Sequence, residues 1–114
     1  MKPFLIGLVG AAFLAGASLV AQDAKKISDG KKIYDAKECN KCHMIAGKGN
    51  KIGKLDGIAT KITAADMHKW LTNPAEMEKT LDHKPKVKMS SKLAEMKLKE
   101  TDIDALIAYL LTLK

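Results

Sequence analysis

The only two cysteines of this chain stand two residues apart and are followed at once by a histidine, in the run Cys39-Asn40-Lys41-Cys42-His43. Four chemistries use such a pair, and each asks something different of the rest of the chain. A disulfide between Cys39 and Cys42 closes a loop too short to constrain much of the unfolded chain. A dithiol redox pair of the thioredoxin kind wants an alternating strand-helix pattern that is missing here. Zinc would take both thiolates and a distant histidine, His68 or His83. In the fourth, each thiol forms a thioether to one vinyl group of a haem and the adjacent histidine binds the iron, so that five residues solve attachment and ligation in one turn. This last reading is the strongest constraint on the fold, because the chain must then wrap a large flat group.

The remainder of the 114 residues agrees with that demand. Met1 and Lys2 give a short positive start, and Phe4 to Val20 are apolar apart from Gly, Ala and Ser, which is the pattern of an export signal. Residues 1–21 are read as that signal, cleaved after Ala21. Retention as a membrane anchor is the alternative, since the apolar run approaches the length of a bilayer span. Residues 22–114 then make one small domain outside the cytoplasm. Beyond the signal the aromatic stock is Tyr34, Trp70 and Tyr109, thin for a self-sufficient core. A buried cofactor repairs the shortage.

The net charge is +7, and all of the basic residues are lysines. The absence of arginine speaks against reading of nucleic-acid bases, where the bidentate guanidinium is preferred. Dispersed lysines suit transient docking on an acidic protein surface.

Periodicity points to helices throughout. Residues 25 to 37 carry Ile27, Ile33 and Tyr34 at helical spacing, with Gly30 on the side of Tyr34. A glycine inside a helix costs about 1 kcal/mol relative to alanine, and close approach of another helix is the simplest reason for it. Residues 46 to 57 read as a glycine-punctuated loop. Thr63 with Asp66 forms a capping box ahead of Met67, Trp70 and Leu71. Asn73-Pro74 ends that helix, a short one over Ala75 to Leu81 follows, and the lysine-rich stretch from Lys84 to Lys92 is read as loop. The last helix carries Ile103, Leu106, Ile107, Leu110 and Leu113 in one stripe joined by Tyr109, with Thr101 and Asp104 as its capping pair.

The iron of a haem needs a second axial ligand or an open position. Met44 is too close to His43 to reach the opposite face, and Met67 shares a helix side with Trp70 and Leu71 as a core residue would. Met89, in the loop before the last helix, has polar neighbours and no core role of its own, and it is the favoured ligand. Met96 is the main rival, followed by Met77, His68 and His83.

With these residues in place, the chain resembles a small monohaem class I cytochrome c of the bacterial periplasmic type over nearly all of residues 25 to 113. In that family a glycine and an aromatic of the first helix cross an aromatic of the last, and Gly30, Tyr34 and Tyr109 stand at those places. Cys39, Cys42 and His43 match the attachment motif in full, and the run Asp102 to Leu110 is similar to the closing helix. Trp70, in Lys69-Trp70-Leu71-Thr72-Asn73-Pro74, resembles the middle-helix aromatic that packs by the haem and reaches toward a propionate. Met89 matches the axial methionine by order, although Ser90 stands where a proline commonly follows it and the stretch to Met96 lengthens the approach to the last helix. Gly53-Lys54-Leu55-Asp56-Gly57 replaces the usual Gly-Pro-x-Leu stretch, so a carbonyl near Ile52 or Gly53 is expected to orient His43.

The resemblance implies an all-α class I cytochrome c fold, four to five short helices wrapped around one covalent haem c. Cys39, Cys42, His43 and Met89 would bind the cofactor, with His43 and Met89 on the iron. The expected function is that of a periplasmic one-electron carrier and not an enzyme. Its partners would be redox proteins with acidic docking surfaces, met by Lys37, Lys41, Lys48, Lys84, Lys86 and Lys88 around the haem edge. Neither nucleic acid nor a small-molecule substrate is expected, and a membrane only through a retained N-terminal segment. The alternatives are a dedicated haem subunit of an oxidoreductase complex and a haem with an open distal site in catalysis or sensing.

Overall fold

The first helix, α1, runs over residues 23–36 and turns Ile27, Gly30, Ile33 and Tyr34 inward, Gly30 and Tyr34 fully. The structure is a computed structural model and describes residues 23–114; the expected signal, residues 1–21, lies outside the described residues. After α1 the chain passes through a 3-10 turn at Cys39–Lys41 and a two-stranded ribbon. A second 3-10 turn at Lys51–Gly53 follows. Strand β1 (Met44–Ile45) pairs antiparallel with β2 (Lys48–Gly49), Ile45 opposite Lys48. Five further helices follow: α2 (Ile58–Lys61), α3 (Ala64–Thr72), α4 (Pro74–Glu78), α5 (Met89–Met96) and α6 (Glu100–Leu110).

The architecture is all-α as expected, with β structure among the described residues confined to the ribbon and a single bridge from Met44 to Lys54. Among the described residues there are six helices where four to five were expected, because the stretch containing Met89 is helical where a loop was expected. Met89, Leu93 and Met96 recur at spacings of four and three and are all half-buried, so this run has an inner face despite its polar residues.

Local chemistry sets the helix ends. Thr63 and Asp66 form the expected capping box, the Asp66 N–H donating to Thr63 Oγ1 at 3.1 Å and the Thr63 N–H to Asp66 Oδ2 at 3.3 Å. Pro74 occupies the first turn of α4, where its missing N–H costs nothing. That helix starts one residue earlier than expected and ends before Leu81, because the Thr80 hydroxyl and N–H both turn back to the Met77 carbonyl. Thr101 does not cap α6. The helix begins at Glu100, and the Asp102 carboxylate takes the Lys99 N–H at 3.0 Å; a lysine has no acceptor to return, so only half of a capping box forms.

Helix α1 crosses α6 at Gly30. A Cβ there would collide with the Ala105 carbonyl and lie 2.8 Å from Tyr109 Cβ. The crossing is closed on one side by Tyr34 and Tyr109, whose rings meet edge to face with centroids 5.9 Å apart and planes at 61°, a geometry worth about 0.5–1.5 kcal/mol beyond the area it buries. Helix α3 packs on α6, and α4 on both α3 and α5. The Ala59 N–H donates to the Leu113 carbonyl at 3.0 Å, tying the end of the chain to α2.

Among the described residues the buried apolar ones are Tyr34, Met67, Ile103, Ala105 and Leu106. They are few because the space between the helices is a cavity and not a packed centre. Among the described residues no helix is long and apolar enough to cross a membrane.

Candidate functional site

The Cys39–His43 turn begins where Glu38 takes a left-handed conformation, φ 56°, and reverses the chain after α1. The N–H groups of Cys42 and His43 both donate to the Cys39 carbonyl, at 3.2 and 3.0 Å. Asn50 holds the turn from outside. Its N–H donates to the carbonyls of Asn40 and His43 at 3.1 and 3.0 Å, and its Nδ2 to the Lys41 carbonyl at 3.2 Å. Its Oδ1 accepts the Ile52 N–H at 3.0 Å and so starts the second 3-10 turn.

That second turn delivers the Gly53 carbonyl to His43. Nδ1 of the imidazole donates to it at 3.0 Å, which fixes the tautomer and leaves Nε2 as a free lone-pair donor. The expectation of a carbonyl near Ile52 or Gly53 is met without a proline. Gly53 has to be a glycine for this approach, because a Cβ there would strike the Cys42 carbonyl and lie 2.9 Å from His43 Nδ1.

Both cysteines are free thiols, Cys39 half-buried and Cys42 exposed. Burial pushes the Cys39 thiol up to about 11, with the neighbouring Cys42 and Asp35 adding to the shift. Among the described residues no three His, Cys, Asp or Glu side chains gather as metal ligands, so neither His68 nor His83 completes a zinc site with the cysteines. His68 instead bonds Glu100 Oε1 at 2.7 Å between α3 and α6.

Cys39 and His43 open onto a cavity of about 210 Å³ that runs between the helices to solvent. Its walls are apolar. Leu55, Ile58 and Ile62 form one side; Met67, Trp70 and Leu71 of α3 form another; Leu106 and Leu110 of α6 close the back with Tyr34. Met89 lines the same cavity from the first residue of α5. Met96, Met77, His68 and His83 do not line it. Met67 is buried, as a core residue should be, and also faces the cavity.

Sequence reasoning missed Asn50 and Glu78. Asn50 stands in a glycine-rich loop where an asparagine is ordinary turn chemistry, and nothing in its spacing marks the carbonyls it gathers. Glu78, the last residue of α4, accepts the Ser90 N–H at 2.8 Å and the Ser90 hydroxyl at 3.0 Å. Ile58 and Ile62, four residues apart, could have been read as a cavity wall from their helical spacing.

The residues present fit a covalently attached haem. Two thiols stand at the motif spacing, an imidazole nitrogen is free beside them, and the walls are apolar. The Tyr34 hydroxyl is buried against the same space with no partner. Of the six lysines expected around the edge, Lys37 donates to the Met96 carbonyl at 3.0 Å, Lys41 is exposed and pairs with Glu38 at 2.6 Å, and Lys48, Lys84, Lys86 and Lys88 are exposed. No curated protein and no solved structure gives a significant match to the chain. The profile of the Cytochrome c family, in contrast, matches residues 27–114. Profile, attachment motif and helical cage agree, and the chain belongs to the cytochrome c family.

Proposed function

We propose that this chain is a periplasmic one-electron carrier that binds one haem c through thioethers from Cys39 and Cys42, with His43 and Met89 as the axial ligands of the iron. Family membership supports the coarser part of this reading, a haem-binding role in electron transfer. The observation that carries the finer part is the shared cavity: Cys39, His43 and Met89 all line it and Met96 does not, while Met67, which also lines it, is buried within α3 as a core residue.

When bound, the haem supplies a single iron that changes between the ferrous and ferric states. The chain's own residues set how readily it does so. The Gly53 carbonyl draws on the Nδ1 proton of His43, which makes Nε2 a stronger donor and favours the ferric state. A thioether from Met89 and the apolar walls act in the opposite sense. The clamp of Asn50 on the Cys39–His43 turn keeps the histidine in place, so little has to reorganise. Exposed Cys42 marks the edge at which electrons enter and leave. Lys48, Lys84, Lys86 and Lys88 then supply charge for brief docking on an acidic partner. Export with removal of residues 1–21 accompanies this role.

The test is an optical spectrum of the haem-loaded protein, oxidised and reduced, including the weak long-wavelength sulfur-to-iron charge-transfer band. The band should be present, lost in Met89→Ala and retained in Met96→Ala, His68→Ala and His83→Ala. A high-spin or bis-histidine spectrum in the unaltered protein would overturn the ligand assignment and move the protein toward catalysis, sensing or low-potential chemistry.

A further inference from the structure

We propose that Glu78 is the positioning residue for Met89, holding it on the cavity wall through Ser90; the inference rests on the reading of Met89 as an axial ligand. Met89 is the first residue of α5, and the residue before it, Lys88, is extended and provides no side-chain cap. The first N–H groups of a helix have no partners within it and need acceptors from elsewhere. Here a carboxylate from a different helix supplies one of them. Glu78 Oε1 takes the Ser90 N–H at 2.8 Å and Oε2 takes the Ser90 hydroxyl at 3.0 Å.

Two features make this fork the fixed point of the segment. Residues 81–88 form neither helix nor strand, so the chain leading into Met89 does not itself fix where α5 begins. Glu78 closes α4, which packs on α3 and α5, and α3 carries Met67, Trp70 and Leu71 along the cavity. The carboxylate thus refers the start of α5 to the same wall that the cofactor would touch. Its charge also sits at the N-terminal end of α5, where the helix dipole favours it. Without the fork, Met89 would leave the cavity more often and the distal position would open.

The experiment uses the haem-loaded protein and measures the affinity of ferric iron for added imidazole, with the charge-transfer band and the urea midpoint alongside. Glu78→Ala should bind imidazole roughly tenfold more tightly than the unaltered protein, since the competing internal ligand is less often in place. Ser90→Ala, which keeps the N–H donor, and Glu78→Gln, which keeps one acceptor, should each show a smaller gain. Ser90→Ala carries the test if Glu78→Ala does not assemble. An imidazole affinity equal to that of the unaltered protein in the assembled variants, with or without a lower urea midpoint, would overturn the positioning role and leave Glu78 structural. Met89→Ala separates the two readings. If it abolishes the band while the Glu78 and Ser90 variants bind imidazole as the parent does, the ligand assignment stands and the positioning inference fails. If it leaves the band intact, both fall.

Discussion

The imidazole Nδ1 of His43 lies 3.0 Å from the carbonyl oxygen of Gly53, ten residues further along the chain. The approach exists because Gly53 has no Cβ to meet the Cys42 carbonyl. Replacing Gly53 with alanine should push the second 3-10 turn away and lengthen this bond. Nε2 then becomes a poorer donor, and the ferric state loses more than the ferrous. The reduction potential of the haem-loaded protein should rise by about 40 mV, the one-electron equivalent of about 1 kcal/mol. Potentiometric titration of Gly53→Ala measures it, and an unchanged or lower potential would remove Gly53 from control of the iron.

A second close approach controls stability. Alanine at Gly30 would gain about 1 kcal/mol of helix propensity in α1, and in an isolated helix that term would win. At this crossing the new Cβ meets the Ala105 carbonyl, a backbone atom that cannot rotate away. Overpacking of this kind costs about 1–3 kcal/mol, so Gly30→Ala should be net destabilising, with a lower urea midpoint and an unchanged charge-transfer band. A stabilised variant would show that α1 and α6 separate freely.

These two glycines also mark how far the sequence could be read. Gly30 and Tyr34 were legible on one helix side from their spacing, their pairing with Tyr109 came from the family resemblance, and the structure brings the three together. The attachment motif was legible because its chemistry is confined to five consecutive residues. Asn50 and Glu78 were not, because each acts through hydrogen bonds to groups that only the folded chain brings near. Helix α5 was hidden for a different reason. Its lysine-rich approach and two serines mask an inner face of Met89, Leu93 and Met96, and packing against α4 overrides the weak local preference.

Charge makes a kinetic prediction. Lys84 and Lys86 are exposed in the segment before α5, close in sequence to Met89. Glutamates at both positions should slow electron transfer to an acidic redox protein about tenfold at low ionic strength, with the difference shrinking as salt screens the encounter. The spectrum should not change. Stopped-flow rates across an ionic-strength series measure this, and parallel salt dependences for the two proteins would place the docking face elsewhere.

The remaining prediction concerns alkali. The Tyr34 hydroxyl is buried with no partner, and burial, before any neighbouring charge, pushes its phenol from 10.0 up to about 12. The unfolded chain releases this proton near its ordinary value, whereas the folded chain keeps it. The folded state therefore holds more protons between about pH 10 and pH 12, and its stability falls across that window after being fully present below it. Tyr34→Phe lacks the group. Urea titrations of the two haem-loaded proteins should show the unaltered protein losing about 1–2 kcal/mol more than the variant between pH 10 and 12, less than the full two-unit linkage because the cavity is open at its edge and a Cys39 thioether carries no charge to raise the phenol. At neutral pH the variant should already be level with the unaltered protein or more stable, since phenylalanine removes a buried hydroxyl that has no protein partner. Parallel curves in alkali would mean that the phenol ionises freely and that solvent reaches Tyr34 through the cavity. A variant much weaker at neutral pH would mean instead that the hydroxyl finds a partner once the cofactor is in place.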